Sequence, residues 1–417
     1  MLDVAAVRDH FPALAGRAVY FDNPGGTQIC REALRRIDEY LRTTNANEGG
    51  GFRTSRDSDA LVDLARRTAA DFLNASRPEE IIFGPNMTTL TFQLRRSLAQ
   101  RLRPQDEIVV TRLDHDANIA PWLSAAQERG CRVRWWDIDV EDCTLRTEDL
   151  QRLLTPRTRL VALGLASNAV GTINDVRRSV DLAREMGAWV FVDAVHYAPH
   201  SSIDVRELGC DFLVCSAYKF FGPHLGILFG RLELLEDLPA YKVRPADNRP
   251  PGKFETGTPS FEAIAGMLGA LEYLAWLGEA FGSAAVEGSA QPSRPRRLAL
   301  EQAMAAIRGY EMTLSRHLLE RLGKVPGLRI WGIADPDRVS ARVPTVSFTL
   351  KGMSPSEVAE ALDRQGIYVW DGNHYALALA ERLGLESQGG TVRVGPVHYN
   401  TLEEVDQLAS ALLALAH

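Results

Sequence analysis

Six short apolar runs recur between residues 81 and 229, and none alternates apolar with polar: Ile81–Phe83, Ile108–Thr111, Leu160–Leu165, Trp189–Val192, Phe212–Cys215 and Gly226–Phe229. A strand with one face in water alternates with period two, so unbroken runs belong to strands covered on both faces. Helical patterns accompany the runs, such as the stripe Leu61, Leu64, Ala65, Thr68, Ala69 and Phe72 ahead of the first. This alternation predicts an α/β fold with a mostly parallel sheet and right-handed crossovers. In such sheets ligands bind beyond the carboxyl ends of the strands. The residues that close each run are therefore the ones to read for chemistry.

The pattern changes near residue 282. Gly, Ser, Ala, Pro and Arg crowd Gly282–Pro295, which predicts an exposed insertion or hinge over 282–297. A helical stretch from about Leu298 to Leu322 then precedes Leu328–Gly332, Thr345–Leu350, Ile367–Trp370 and Thr391–Val394. We read these as a small α+β domain over 298–417. It follows a large domain over 20–281 and an N-terminal segment, 1–19, expected to pack with the small one.

Composition narrows the function classes. A net charge of −7 disfavours non-specific nucleic-acid binding. The five cysteines (Cys30, Cys131, Cys143, Cys210 and Cys215) show no Cys-x-x-Cys spacing, so neither a disulfide framework nor a zinc site is expected. No apolar run is long enough to span a membrane, and Met1–Val7 lacks the basic start of a signal peptide. The expected location is cytoplasmic, with no nucleic-acid or membrane partner.

Two run ends carry the chemistry. Asp193 closes Trp189–Val192, and Lys219 follows Phe212–Cys215 within Ser216-Ala217-Tyr218-Lys219-Phe220-Phe221-Gly222-Pro223. Taken alone, each is an ordinary acid or lysine at the end of a strand. Together they are the minimum kit for pyridoxal phosphate: an amine to hold its aldehyde and an acid for its ring nitrogen. His115, in Asp114-His115-Asp116, is the candidate to cover the ring. A metal cluster there is disfavoured, because adjacent residues rarely converge on one ion. Thr88 and the backbone amides around Met87 sit at a predicted helix start suited to a phosphate, with the Ser216 and Tyr218 hydroxyls nearby. Asn168 and His196 are candidates for the ring hydroxyl, although a turn asparagine or a structural histidine would look the same.

These segments resemble the class V aminotransferases of fold-type I, and within them the cysteine desulfurase and selenocysteine lyase branch. Tyr20-Phe21-Asp22-Asn23-Pro24-Gly25-Gly26-Thr27 resembles Y-L-D-N-A-A-T, and Val192–His196 resembles V-D-G-A-Q. Ser216–Lys219 resembles S-x-H-K, Phe254–Pro259 resembles F-E-x-G-T-P, and Val392-Arg393-Val394 with Tyr399-Asn400-Thr401 resembles R-x-S…Y-N-T. The resemblance covers about Tyr20 to Asp406. It implies a pyridoxal 5′-phosphate enzyme with Lys219, His115 and His196 at the reacting centre. It also implies that Arg393 binds the substrate carboxylate with Asn23 and Gly26 close by. It further implies a homodimer in which Thr258 reaches the partner's phosphate. Arg53, in the glycine-rich Gly49–Arg53, could close over a second copy's site.

One departure bears on the reaction. Where the desulfurases carry R-x-G-H-H-C-A on a mobile loop, this chain has Trp370-Asp371-Gly372-Asn373-His374-Tyr375-Ala376. Tyr375 stands at the place of the nucleophilic cysteine, and a phenol cannot store a persulfide as a thiolate can. Trp370, Asn373, His374 and Tyr375 are expected to line the substrate side chain. The reading is a small-molecule amino acid as substrate and a C–S lyase-type elimination at a β-substituted centre. The alternatives are transamination or epimerisation, and more remotely a non-catalytic scaffold.

Overall fold

The computed structural model describes residues 2–16, 18–282 and 294–416. Most of the predicted insertion at 282–297 lies outside them. The described chain forms thirteen strands. They are β1 (Val19–Tyr20), β2 (Ile81–Gly84), β3 (Glu107–Thr111), β4 (Arg132–Trp136), β5 (Thr158–Gly164), β6 (Trp189–Asp193), β7 (Phe212–Ser216), β8 (Gly226–Gly230), β9 (Leu328–Trp331), β10 (Val346–Leu350), β11 (Ile367–Tyr368), β12 (Trp370–Gly372) and β13 (Thr391–Val394).

Strands β2 to β8 make one seven-stranded sheet in the order β2-β8-β7-β6-β5-β3-β4. Its two faces bury alternate residues of the same strands. Val109, Val161, Leu163, Val190, Val192 and Leu213 join one core cluster, while Ile108, Val110, Leu160, Ala162, Phe191 and Val214 join the other. That double burial is what the unbroken apolar runs encode.

The sheet departs from uniform parallel pairing at β8, which runs antiparallel to both β2 and β7. Only residues 217–225 separate β7 from β8, too few for the crossover that a parallel neighbour needs. Strand β4 was not among the six runs. It lies at the sheet edge and carries Arg132 and Arg134 with its face partly exposed, as edge strands commonly do.

The second body is an antiparallel sheet, β12-β13-β10-β9, with its own core of Val346, Phe348, Val392, Val394, Leu362 and Leu408. The segment before residue 20 touches both bodies. Leu2, Val7 and Phe11 join the larger cluster, whereas Val19 joins the smaller, and β1 pairs with β11. Helix Pro295–Leu322 also serves both cores, with Leu300, Ala303, Met304 and Ile307 in the large one and Leu314, Leu318 and Leu322 in the small. We propose that the domain boundary falls within this helix. No helix among the described residues is long and apolar enough to cross a membrane.

Candidate active site

A cleft of about 820 Å³ opens where the sheet's carboxyl ends meet the small domain. Its floor comes from strand ends. Asp193, the last residue of β6, is buried and accepts the Val195 N–H at 2.8 Å. Burial pushes its carboxyl up to about 6, against the opposing pull of the Val195 N–H and Lys219.

Lys219 ends a single 3₁₀ turn, Ala217–Lys219, directly after β7. Its Nζ donates to the backbone carbonyls of Gly25, at 2.9 Å, and Pro24. Burial and then Arg393 lower its pKa to about 7, while Asp22 and Asp193 act in the other direction. An amine that is partly neutral at neutral pH can both attack a carbonyl and carry a proton.

His115 caps the short turn Asp116–Asn118 by accepting the Ala117 N–H at Nδ1, 3.0 Å away. Burial, helped by Lys219 and Arg393, depresses its pKa to about 4, so the ring is a neutral imidazole. It stacks on Tyr375 with centroids 5.5 Å apart and planes 12° from parallel.

Arg393, on β13, is buried, with its Nη1 donating to the Asn168 carbonyl at 3.2 Å and its Nη2 to Asp22 at 3.2 Å. Asn168 donates through Nδ2 to the His374 carbonyl at 2.7 Å, and its Oδ1 is buried without a partner. His196 lines the cleft, with Nε2 2.8 Å from Thr345 Oγ1 and a pKa held well below the usual value, chiefly by burial. Met87 and Thr88 bring the first turn of helix Met87–Ala99 to the cleft. There an anion would meet the favourable end of the helix dipole, with the Met87 and Thr89 N–H groups already given to Ser216 Oγ and the Asn86 side chain.

Most of the residues singled out in the sequence therefore converge: Lys219, Asp193, His115, Asn168, His196, Met87, Thr88, Tyr218, Gly26, Trp370, His374, Tyr375 and Arg393 line one cleft. Five do not line it. Ser216 is buried beneath and accepts the Met87 N–H at 3.2 Å. Asn23 is buried behind the wall, donating to the Gly395 carbonyl and accepting from the Tyr399 hydroxyl. Asn373 turns to Glu386, 3.1 Å away. Thr258 and Arg53 are exposed elsewhere.

Four titratable cleft residues carried no assigned role in the sequence: Asp22, Asp114, Tyr20 and His224. Asp114 was quoted only as a flank of His115. It accepts from the Gly164 N–H at 2.9 Å and Asn118 at 2.8 Å, and burial with nearby Asp193 raises it to about 7. His224 stacks on Tyr218 at 4.7 Å and lies outside every quoted motif.

Known proteins resemble the chain along nearly its whole length. The family model for aminotransferase class V matches residues 19–291 and 296–408, and the chain belongs to that family. The aminotransferase-like protein FGM3 of Gibberella zeae is 37% identical, covering 97% of this chain and 96% of that protein. A probable cysteine desulfurase of Streptomyces coelicolor is 33% identical over 99% of this chain and 97% of its own length. The cysteine desulfurase CsdA of Escherichia coli superposes with a TM-score of 0.83 at 28% identity, covering 100% of this chain and 99% of that structure. The chain is thus a pyridoxal 5′-phosphate-dependent enzyme of the cysteine desulfurase-like class V group.

The residues present fit that cofactor. The cleft offers an amine near neutrality at Lys219, a floor carboxylate at Asp193, a helix start at Met87 and Thr88, and an orphaned buried amide oxygen at Asn168.

Proposed function

We propose that the protein eliminates the β-substituent of an amino acid, in a C–S lyase-type reaction that uses no persulfide-forming cysteine. The observation that carries this reading is the cleft wall. Its lining holds no cysteine, and Tyr375 faces the space from a loop tied to three other segments.

Bound pyridoxal phosphate would supply an electron sink for bonds at the substrate Cα. We assign its amine partner to Lys219, its ring-nitrogen partner to Asp193, its cover to His115, and its phosphate cup to Met87 and Thr88 with Ser216 beneath. Arg393 binds the substrate carboxylate and so turns the Cα–H bond toward Lys219. The Lys219 amine accepts the Cα proton when neutral and returns a proton when charged. The β-substituent departs with its bonding pair as a thiolate and takes the proton held by Lys219 to leave as a thiol, and water hydrolyses the remaining unsaturated amine to a keto acid and ammonia. Trp370, His374 and Tyr375 form the wall against the side chain, and His196 acts as a neutral ring between the cleft and Thr345.

The experiment is a product analysis of the cofactor-loaded protein with cysteine, cystine and a panel of amino acids, without added keto acid. Pyruvate and ammonia support elimination. Alanine from cysteine would mean desulfuration, and the Tyr375 reading would fall. The second reading, transamination, is favoured by the 37% identity to an aminotransferase-like protein. It predicts that no product forms until a keto acid is supplied. Epimerisation would instead leave composition unchanged and invert the Cα centre, which chiral chromatography reads. We also propose a homodimer. Exposed Thr258 and Arg53 are free to serve a second copy's cleft, and sedimentation at about micromolar concentration tests this.

A further inference from the structure

Arg393 is buried but incompletely used. Its Nη2 donates to Asp22 Oδ1 at 3.2 Å and its Nη1 to the Asn168 carbonyl at 3.2 Å, while Nε is buried without a partner. The Asp22 side chain is 13% exposed and that of Arg393 5%, and both line the cleft. Register creates the encounter, because Asp22 bridges to Gly395, two residues beyond Arg393. Gly25 shapes the seat, since a Cβ there would lie 2.3 Å from Asp22 Oδ2. The charged and titratable groups facing Asp22 are Arg393 on β13, Lys219 beyond β7 and Tyr20 on its own segment.

A guanidinium binds a carboxylate best through two donors at once. At Arg393 one donor is already given to a protein carboxylate. We propose that Asp22 is a resident competitor for Arg393, which the substrate's carboxylate must displace, so that Asp22 sets the affinity for carboxylate-bearing ligands. This rests on the reading that Arg393 receives the substrate carboxylate.

Displacement has an electrostatic consequence. Once off Arg393, Asp22 stays half-buried, and Lys219 is the other basic group facing it, in the protein without cofactor. Burial already raises its pKa, and losing Arg393 raises it further, so carboxylate binding favours proton uptake by Asp22.

Propionate is a suitable probe, because it carries the carboxylate but cannot react. Calorimetric titration of full-length protein, with and without cofactor and in buffers of different ionisation enthalpy, reads both affinity and proton uptake. The expected result is that Asp22→Asn binds propionate about tenfold more tightly than the wild type and loses the wild-type proton uptake. Unchanged or weaker binding by Asp22→Asn overturns the proposal. So does the absence of proton uptake by the wild type as binding is measured at successively lower pH on the acid side of neutrality, a measurement that needs no variant. Arg393→Lys separates the two layers. If propionate affinity is unaffected, the assignment of Arg393 fails and the competitor with it. If affinity drops but Asp22→Asn does not tighten binding, the competitor role alone is overturned.

Discussion

The floor and the wall of the cleft are built on opposite principles. On the floor, each functional side chain sits at or just past the end of a strand: Asp193 ends β6, and Lys219 follows β7 by one turn. A strand end is a fixed point, so the side chain inherits its position from sheet pairing alone. Beyond the end of β12 at Gly372, the wall at 373–376 has no such frame. Gly372, His374 and Tyr375 adopt positive φ of 116°, 55° and 56°, conformations that His and Tyr take only when their surroundings enforce them.

Those surroundings can be named. Asn168 donates to the His374 carbonyl, the Asp116 N–H donates to the Tyr375 carbonyl at 2.7 Å, and His374 Nε2 lies 2.9 Å from Thr391 Oγ1. The contrast teaches that the floor sets which cofactor chemistry is available. On the function proposed above, the wall sets what that chemistry is applied to.

The largest effect should come from the floor. Lys219→Ala should lower turnover by about 10³-fold or more and abolish the absorption of covalently held cofactor, with the fold intact by circular dichroism. Retained activity would break the comparison at its firmest point. Asp193→Asn should cost about 10²-fold to 10³-fold in turnover, measured with cofactor affinity determined separately.

A pH test sharpens the same side. The Lys219 amine has a folded pKa of about 7, below its ordinary 10.5. Cofactor capture by the apoprotein should therefore speed up as pH rises through about 7, where the neutral amine becomes the major form, as followed by absorbance. For stability, the unfolded chain binds the extra proton between those two values. This group's contribution therefore rises with pH across that window.

On the wall, Gly390→Ala would place a Cβ 2.1 Å from the Gly372 carbonyl carbon at a φ of +82°. It should destabilise the protein by about 1–3 kcal/mol and change KM more than it changes the bound cofactor's spectrum. The smallest effect belongs to Tyr375→Ala. Loss of the stack on His115 should cost about 1 kcal/mol, seen as a few-fold shift in substrate preference. Tyr375→Cys should still yield no persulfide, since these ties hold the backbone at 375; a trapped persulfide on that variant would show the wall to be mobile.

Legibility follows the same division. The apolar runs marked β2, β3, β5, β6, β7 and β8, because burial on both faces leaves a local signature that needs no partner to be read. Direction is not local. Strand β8 looked like its parallel neighbours, and only the nine residues from 217 to 225 decide that it returns antiparallel. Asn373 resembled a cleft residue by sequence position yet turns toward Glu386, a partner on a separate turn. Asp22 and Asp114 stood inside quoted motifs without a role, because their partners, Arg393 and Gly164, are 371 and 50 residues away.

What the sequence by itself determined was the layered α/β frame, Lys219 and Asp193 at two strand ends, and a Tyr375 phenol with no cysteine in Trp370–Ala376. Each depends on residue type and short-range periodicity. Tertiary structure alone decided that Asp22 lies on Arg393, that Tyr375 stacks on His115, and that two acids share the floor. These contacts join segments far apart in the chain, and their energies come from burial and Coulomb interaction at distances that only the folded state defines.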